Sequence, residues 1–336
     1  MGSYAQPTDS QLYLRAWRVS IAAAQNSNLP TLDITSVGEQ YPLKVTFDII
    51  KKFGSYLWWG DVTLYNLTET TEQYIINQGD TVSVSAGYKK NFNTAANLIF
   101  KGEVFQPLWE KIDGATYALT LRCMVGMPYL MNFVSYPHGP QATQKDIVSQ
   151  IAARAHNVIA IDQVDKELLS KTVLPRSKAI FGRPKDYFDQ MARDNGFATY
   201  FGPKGLNLSP RKFDVSAIPD IVYAPPLISN VPQSQSTTGL TKQTLIGTPQ
   251  QTQEGVSFRV EMDSDITVQT LVKLDMSAIR QLQMTPGQFP SRLDKDGLYI
   301  VTEIRHCGDT YGTEWFTEVQ AMTWSFWNSF LNNKAY

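Results

Sequence analysis

The sequence predicts a mainly β fold with a small α/β insertion, and three observations carry that reading. Short alternating runs of polar and apolar residues recur from Leu12 to about Tyr136 and again from Gly255 to Thr323, the period-two signature of half-buried strands. Aromatic residues make up 12% of the chain and charged residues only 18%, a balance that suits aromatic strands with surface left for burial against partners. Two segments with helical spacing stand between the β regions. At 336 residues the chain exceeds one ordinary core, so two or three domains are expected.

In the first β region, strands are expected at Leu12–Ala23, Lys44–Lys51, Asp61–Asn66, Tyr74–Asn77, Thr81–Tyr88, Asn97–Gln106 and Tyr117–Val125. Val62, Leu64 and Asn66 fall on one face of their strand and Thr63, Tyr65 and Leu67 on the other. Val82 and Val84 alternate in the same way with Thr81, Ser83 and Ser85. Gly79-Asp80 supplies a turn. Ala86-Gly87 and Lys101-Gly102 allow a bend or a close backbone approach inside strands. Strands at this spacing read as a barrel or a sandwich. Pro137-His-Gly-Pro140 breaks the pattern.

A helix is predicted over Gln144–Ala155, because Ile147, Val148, Ile151, Ala152 and Ala155 share a face and Thr143 caps the start with Asp146 three residues on. A second helix is predicted over Pro184–Asn195. Pro184 suits the first helical position, Tyr187, Phe188, Met191 and Ala192 form one stripe, and Gly196 provides the stop. Phe197–Phe201, the turn Gly202-Pro-Lys-Gly205 and Leu206–Leu208 then form a hairpin against that helix. Residues 221–255 are rich in Pro, Ser, Thr and Gln, the composition of a flexible linker. Strands resume at Gly255–Val260, Thr267–Leu274, Gly297–His306 and Thr313–Thr323. The stretch from Gly102 to Leu121 echoes that from Tyr299 to Val319: each is a long strand, a short polar turn and a returning strand.

Composition and motifs exclude more chemistry than they suggest. Thirty basic and thirty-one acidic residues leave a net charge of −1, which offers no global attraction to nucleic acid or anionic membrane. Cys123 and Cys307 lie far apart in strand-like runs without metal-ligand spacing and read as buried reduced thiols. The polar start, Met1 to Ser10, lacks the apolar core of a signal peptide. No run approaches ~20 apolar residues, so no membrane anchor is expected. These features predict a protein made in a cytosol and kept there, or carried out of it in a particle.

His138 stands in the Pro/Gly break, His156 ends the first helix, and His306 adjoins Cys307 near a turn. None forms a ligand pair or a base–nucleophile pair. The carboxylate pairs Glu103 with Glu110 and Asp263 with Asp265 lack a visible cleft. Asp294-Lys-Asp-Gly297 lacks the remaining ligands of a calcium loop, and Gly202-Pro-Lys-Gly205 lacks the amide donors and spacing of a phosphate-binding loop. No catalytic residue, cofactor-binding residue, cofactor or metal ligand is therefore assigned. Two aromatic clusters remain, Tyr56-Leu-Trp-Trp59 and Trp324-Ser-Phe-Trp-Asn-Ser-Phe330. Without adjacent Lys or Arg they suit a core or an interface better than stacked bases. Strand alternation would place Trp324 and Phe326 on one face and Trp327 on the other, more than one barrel can bury. Trp324, Phe326, Trp327 and Phe330 are thus the candidate partner interface, the competing reading being that the tail folds back onto its own barrel.

Several of these phrases together resemble the baseplate hub proteins of contractile-tailed phages. They are Tyr65-Asn-Leu67, Gly79-Asp80 leading to Ala86-Gly-Tyr88 and Phe100-Lys-Gly102, the Asp146–Ala155 and Pro184–Gly196 helices with their hairpin, Leu245-Ile-Gly-Thr-Pro249, and Gly297-Leu-Tyr-Ile-Val301 leading to His306-Cys-Gly-Asp309. Type VI secretion spike hubs and R-type pyocin hubs share the plan. The resemblance implies two tail-tube-like β-barrel domains flanking a small α/β domain, at residues 1–136, 137–220 and 221–336, the last including the aromatic tail. It further implies a homotrimer whose six barrels adapt a hexameric tail tube to a trimeric spike. The expected partners are the tail tube protein, the spike protein, other baseplate proteins and a candidate tape measure protein, with genomic DNA passing through without specific binding. The expected location is the virion baseplate, assembled in the host cytoplasm. Unlike the enzymatic members, the sequence shows no fused lysozyme or peptidase-like segment. A tail-associated peptidoglycan hydrolase or glycan-binding module is the alternative, with the insertion and exposed tryptophans gripping sugar.

Overall fold

The computed structural model describes residues 14–23, 29–53, 58–89, 92–154, 161–164, 169, 173–195, 197–202, 205–210, 221–223, 240–242, 244–274, 279, 281–282 and 297–327. The N-terminal elements are β1 (Arg15–Ala23), β2 (Leu32–Thr35), β3 (Val45–Lys52), β4 (Trp58–Tyr65), α1 (Glu69–Gln78), β5 (Gly79–Tyr88), β6 (Leu98–Lys111) and β7 (Tyr117–Val125). The middle region holds α2 (Met127–Met131), β8 (Val134–His138), α3 (Gln144–Arg154), β9 (Ile161–Val164), β10 (Lys178–Gly182), α4 (Pro184–Asn195), β11 (Phe197–Gly202) and β12 (Gly205–Pro210). The C-terminal strands are β13 (Ile221–Tyr223), β14 (Leu240–Lys242), β15 (Leu245–Gln251), β16 (Gly255–Glu261), β17 (Leu271–Leu274), β18 (Gln281–Leu282), β19 (Leu298–Asp309) and β20 (Trp315–Thr323).

The chain is mainly β, as predicted, and its central feature is one 15-stranded sheet in the order β18-β15-β16-β20-β19-β3-β4-β7-β6-β5-β1-β2, with β17 joined to β19 and β13 and β14 beyond it. The N-terminal and C-terminal strands are therefore continuous. They meet where β3 pairs antiparallel with β19, from Thr46 opposite Asp309 to Lys52 opposite Glu303. The N-terminal strands curl back on the C-terminal hairpin through side chains. Arg15 Nη1 donates to the carbonyls of Asp309 and Gly312 at 2.6 Å each, its guanidinium lies 5.4 Å from the Trp315 ring centre, and the Met262 N–H donates to the Tyr88 hydroxyl at 3.2 Å.

The echo between the two hairpins is structural. Residues 112–116 connect β6 to β7 and residues 310–314 connect β19 to β20. In each turn one aspartate organises the backbone: Asp113 accepts from the N–H groups of Ala115 and Thr116, and Asp309 from those of Tyr311 and Gly312. Each hairpin also has a bulge on its first strand, between Val104 and Gln106 and between Val301 and Glu303. A bulge adds twist and bends its strand, which serves to curl both halves of the sheet.

Alternation places the cores where the sequence expects them. Val62, Leu64, Val82 and Val84 are buried on the inner face, with Trp17, Ile49 and Leu121. Gly102 answers a steric demand: a Cβ there would stand 2.7 Å from the Phe100 ring and 2.9 Å from the Met124 carbonyl. A second core joins the insertion to the C-terminal strands through Tyr129, Phe188, Tyr223, Phe258 and Val319.

In the insertion, α3 and α4 match the predicted helices. Asp146 accepts from the Thr143 N–H at 2.9 Å while Thr143 Oγ1 accepts from the Asp146 N–H at 3.2 Å, a reciprocal cap that satisfies donors at the helix start. The predicted hairpin is β11 with β12.

Three expectations are corrected. Tyr74–Asn77, expected as a strand, lies in α1, where Thr68 caps by accepting from the Thr71 N–H and Glu69 and Glu72 occupy the first turn. Cap and charge outweigh the β preference of Tyr-Ile-Ile. The Pro137 break is a strand end, since β8 runs through His138 and pairs with β10, which the sequence reading lacked. Within 221–255, β13, β14 and β15 add strands to the sheet. The phrase Leu245-Ile-Gly-Thr-Pro249 is a bulge in β15: Ile246 faces Arg259, the next pair is Gln250 with Ser257, and Gly247 takes a left-handed φ of 70°. Alternation is broken there, so composition alone reads as linker.

Candidate functional site: the outer face of the central sheet

Six adjoining strands, β7, β4, β3, β19, β20 and β16, bury one face and expose the other. Alternation brings a row of charges together on the exposed face. Asp61 is the register partner of Arg122 and of Asp48, and Arg305 and Arg259 are both register partners of Glu318. Arg305 grips Asp48 with two hydrogen bonds of 2.8 and 2.6 Å, Arg259 lies 3.3 Å from Glu318, Arg122 3.8 Å from Asp61, and Lys52 2.9 Å from Glu303. The hydrogen bonds to Asp48 hold the Arg305 pKa above its ordinary value. Partial burial, opposed by Arg122 and reinforced by Asp48, raises that of Asp61. Two carboxylates directly opposite one another repel, and Arg122 and Arg305 flank that pair. Each of these four cations thus already has an acidic partner.

Beside the row lies an apolar strip. Ile50 pairs with Trp59 across β3 and β4, and the Trp59 ring meets that of Phe105, the β6 bulge residue, at 6.4 Å. All three are exposed, Phe105 by 53%. Trp59 is the described, outward member of the first aromatic cluster, while Trp58 beside it is buried; Tyr56 and Leu57 lie outside the described residues. From Val104 to Lys111, β6 pairs only with β7, because β5 ends its pairing at Glu103. This leaves a sheet edge that carries Trp109, 66% exposed.

The inner face beneath the row is also unusual. Lys51 follows Val45, Phe47 and Ile49 on the inward side of β3 and is 2% exposed. Its ammonium stands 5.4 Å from the Trp58 ring centre, and no carboxylate among the described residues is paired with it. Desolvation alone lowers its pKa to about 7. His306, fully buried on β19, shares a hydrogen bond of 3.0 Å with Thr317 through Nδ1, and burial with the nearby Lys51 holds its pKa well below the ordinary value. Neither was expected as a core group, since alternation in Phe47–Lys51 identifies the face but not that a lysine lies at its end.

The remaining candidates lie elsewhere in the fold. Trp324 and Trp327 are buried against Leu271 and Ile300, and the Trp327 ring meets Phe53 at 4.7 Å. The chain turns helical at Trp324–Trp327, so these two residues share a face; the expectation from strand alternation, with Trp327 opposite Trp324, is corrected. Phe326 is half-buried, and Phe330 lies outside the described residues. Cys307 and His306 are neighbours on a strand and point to opposite faces. Burial, with Asp48 adding to it, pushes the Cys307 thiol up to about 11, and burial likewise raises that of Cys123, so neither is primed as a nucleophile. Both cysteines are free and buried.

His138 is buried in β8 beside the Tyr136 ring. His156 and residues 294–296 lie outside the described residues, as do the two central residues of the 202–205 turn. Asp263 and Asp265 do not form an acid–base pair: Lys242 lies between them, 2.7 and 2.8 Å from the two oxygens of Asp263 and 2.8 Å from Asp265, while Tyr223 donates to Asp263 at 2.7 Å. This clasp fastens β14 to the sheet. Half-buried Glu103 and exposed Glu110 lie on β6. Burial raises the pKa of Glu103. Among the described residues no three His, Cys, Asp or Glu side chains gather as a metal site.

No protein-family model matches this chain, and no curated protein matches it in sequence. Solved structures are similar in fold. The 43 kDa tail protein of prophage MuSo2 from Shewanella oneidensis aligns with a TM-score of 0.51 at 8% identity, over 92% of this chain and 98% of that one. A tail protein from Neisseria meningitidis MC58 aligns with a TM-score of 0.52 at 10% identity, over 94% and 98%. A chain of the Francisella PdpA–VgrG complex aligns with a TM-score of 0.53 at 8% identity, over 94% of this chain and 59% of that one. In fold, the chain is therefore similar to phage tail proteins and to a chain of a VgrG complex.

Proposed function

We propose that this protein is a structural hub of a phage tail, assembling as a homotrimer whose six half-barrels form a ring of pseudo-six-fold symmetry between tail tube and spike. The observation that carries this reading is the duplicated hairpin, with its aspartate turn and strand bulge, built into both halves of one continuous sheet. Two like halves per chain and three chains give six like positions, and closing a ring buries sheet edges that are otherwise open to aggregation. An obligate interface of this kind buries more than ~2,000 Å². The division at residues 136 and 220 is retained as the functional one, with tube-like halves on either side of the insertion.

In this reading the charged outer face lines the conduit, and the expected partners are the tube, the spike and neighbouring baseplate proteins, with tape measure protein passing or docking at the ring. The four cations of the row are already paired to carboxylates, so among the described residues the row offers no unpaired cation to hold phosphate, and genomic DNA slides past it. Assembly takes place in the host cytoplasm and the product resides in the virion baseplate. Light scattering at micromolar concentration is expected to give a trimer mass, unchanged by added duplex DNA. A monomer both alone and with tube and spike proteins would sink the reading.

We assign no enzymatic role. The most suggestive carboxylate pair, Asp263 with Asp265, is held by Lys242 and has no cleft between its members. Zymography on cell walls is expected to show no cleared band, and a band abolished by replacing one Asp or Glu would establish the hydrolase instead.

A further inference from the structure

The central sheet ends at β2, which pairs with β1 and with no other described strand. The Ser36 N–H donates to the Trp17 carbonyl at 3.0 Å, and this bond sets the phase of the ladder. In an antiparallel pair the backbone groups of successive residues turn alternately toward and away from the partner strand. With Trp17 opposite Ser36, those of Ile34 and Leu32 face β1, opposite Val19 and Ile21. Those of Asp33 and Thr35 therefore face outward, and no described group bonds to them. The strand Leu32–Thr35 carries no proline, lysine or bulge, the devices that commonly guard an open edge.

This edge is one wall of a groove. A hollow of about 350 Å³ is lined by all four residues of β2, and by Glu39, Leu67 and Thr71 among others. Neighbours in a strand point to opposite faces, so a hollow that touches four in succession lies along the strand's edge. A second hollow of about 270 Å³ adjoins it through Leu32 and Thr71, and is otherwise lined by Pro30, Thr31, Thr70 and Tyr74. The opposite wall is the first part of α1. The Tyr74 hydroxyl donates to the Pro30 carbonyl at 2.6 Å, which ties that wall to the start of β2. Leu32, Leu67 and Tyr74 pack against the N-terminal core and give the groove an apolar floor.

The charge of the groove has one sign. No lysine, arginine or histidine lines either hollow, whereas Asp33 and Glu39 do. Asp33 is already held by Arg18 and Ser20. Glu39 is exposed and has no ion-pair partner among the described residues.

We infer that this groove binds an extended segment of a partner protein, one with a branched aliphatic residue and a lysine or arginine two positions away. The segment adds to β2 as a further strand, its backbone bonding to Asp33 and Thr35. Residues two apart in a strand share a face, so the aliphatic side chain enters the hollow over Leu32 and Tyr74 while the cation meets Glu39. Backbone pairing holds the segment, and the charge pair sets its direction.

The test uses the full chain and a labelled ~9-residue peptide, roughly the length of an ordinary strand, read by fluorescence anisotropy. It alternates threonine and valine, with one lysine two positions after the central valine. A glutamate twin is the charge control, and two further twins are N-methylated at alternate residues along one edge or the other. The lysine peptide is expected to bind the wild type. Methylation along one edge should weaken it at least ~10-fold and along the other leave it unchanged, because an added strand pairs through one edge only. Thr70→Trp, which fills the apolar hollow, should also weaken it at least ~10-fold, and Glu39→Lys should reverse the preference toward the glutamate twin. Both positions are exposed, so circular dichroism should report unchanged folding. No binding of the lysine peptide, equal binding of the lysine and glutamate peptides, equal effects of the two methylation patterns, or indifference to both variants overturns the proposal. So does a fall in the protein's own oligomeric mass in Thr70→Trp, which would assign the groove to a second copy. Slow hydrogen exchange of the Asp33 and Thr35 amides in the free protein would assign it to the chain's own residues and overturn the proposal as well.

Discussion

Trp327→Ala is expected to destabilise the protein by about 3–5 kcal/mol, the range for removing a fully buried large aromatic, measured as a shift in the urea unfolding midpoint. The indole has no exposed surface and fills a small core with Leu271, Ile300 and Trp324, its ring edge to face with Phe53 just after β3. It therefore fastens the helical turn after β20 to strands from both halves of the sheet. Truncation after Met322 should have at least the same effect, because it removes Trp324 as well. A loss below about 1 kcal/mol, with assembly abolished, would return the aromatic tail to the role of a partner contact.

Lys51→Met is expected to act in the opposite direction and to stabilise the protein below neutral pH. Burial alone lowers the folded-state pKa of this ammonium from 10.5 to about 7. Below pH 7 folded and unfolded chains both carry the proton, and the full cost of burying it stands, on the order of 3–5 kcal/mol. Between the two values the folded chain sheds the proton first, so the cost fades as pH rises. The methionine variant should therefore exceed the wild type in stability at pH 6 and converge with it above about pH 10, since methionine fills a similar volume without the charge. His306 adds a separate slope: its folded value lies well below 6.5, so stability is lost as pH falls through 6.5, and this acid limb should persist in the variant. Unfolding midpoints across pH 5–10.5 (roughly the span set by these ordinary values) check both limbs. A variant no more stable than wild type at pH 6 contradicts the account of Lys51.

The parts of this fold that follow from local rules were legible in the sequence. The capped helices at Gln144 and Pro184 announce themselves by spacing and end residues, and alternation in Val62–Tyr65 and Thr81–Val84 identifies the buried face. The pairing of β3 with β19 was not legible, because strands some 250 residues apart in sequence carry no local mark of their partner. That pairing makes the N-terminal and C-terminal strands continuous and creates the row from Arg122 to Arg259. The exposed aromatic pair beside β8 and β10 was hidden for a related reason: Phe133 and Phe181 are single aromatics in short runs until the fold sets them side by side. Only the facing of Trp327 was misread, because alternation was extended past the last strand, where a helical turn begins.

The central claim is the closed ring, and class averages from electron micrographs of the purified protein, alone and with tube and spike proteins, test it most directly. The account predicts a hollow particle with three-fold symmetry and six similar densities around the opening. Solid, asymmetric particles of single-chain size in both preparations would contradict it.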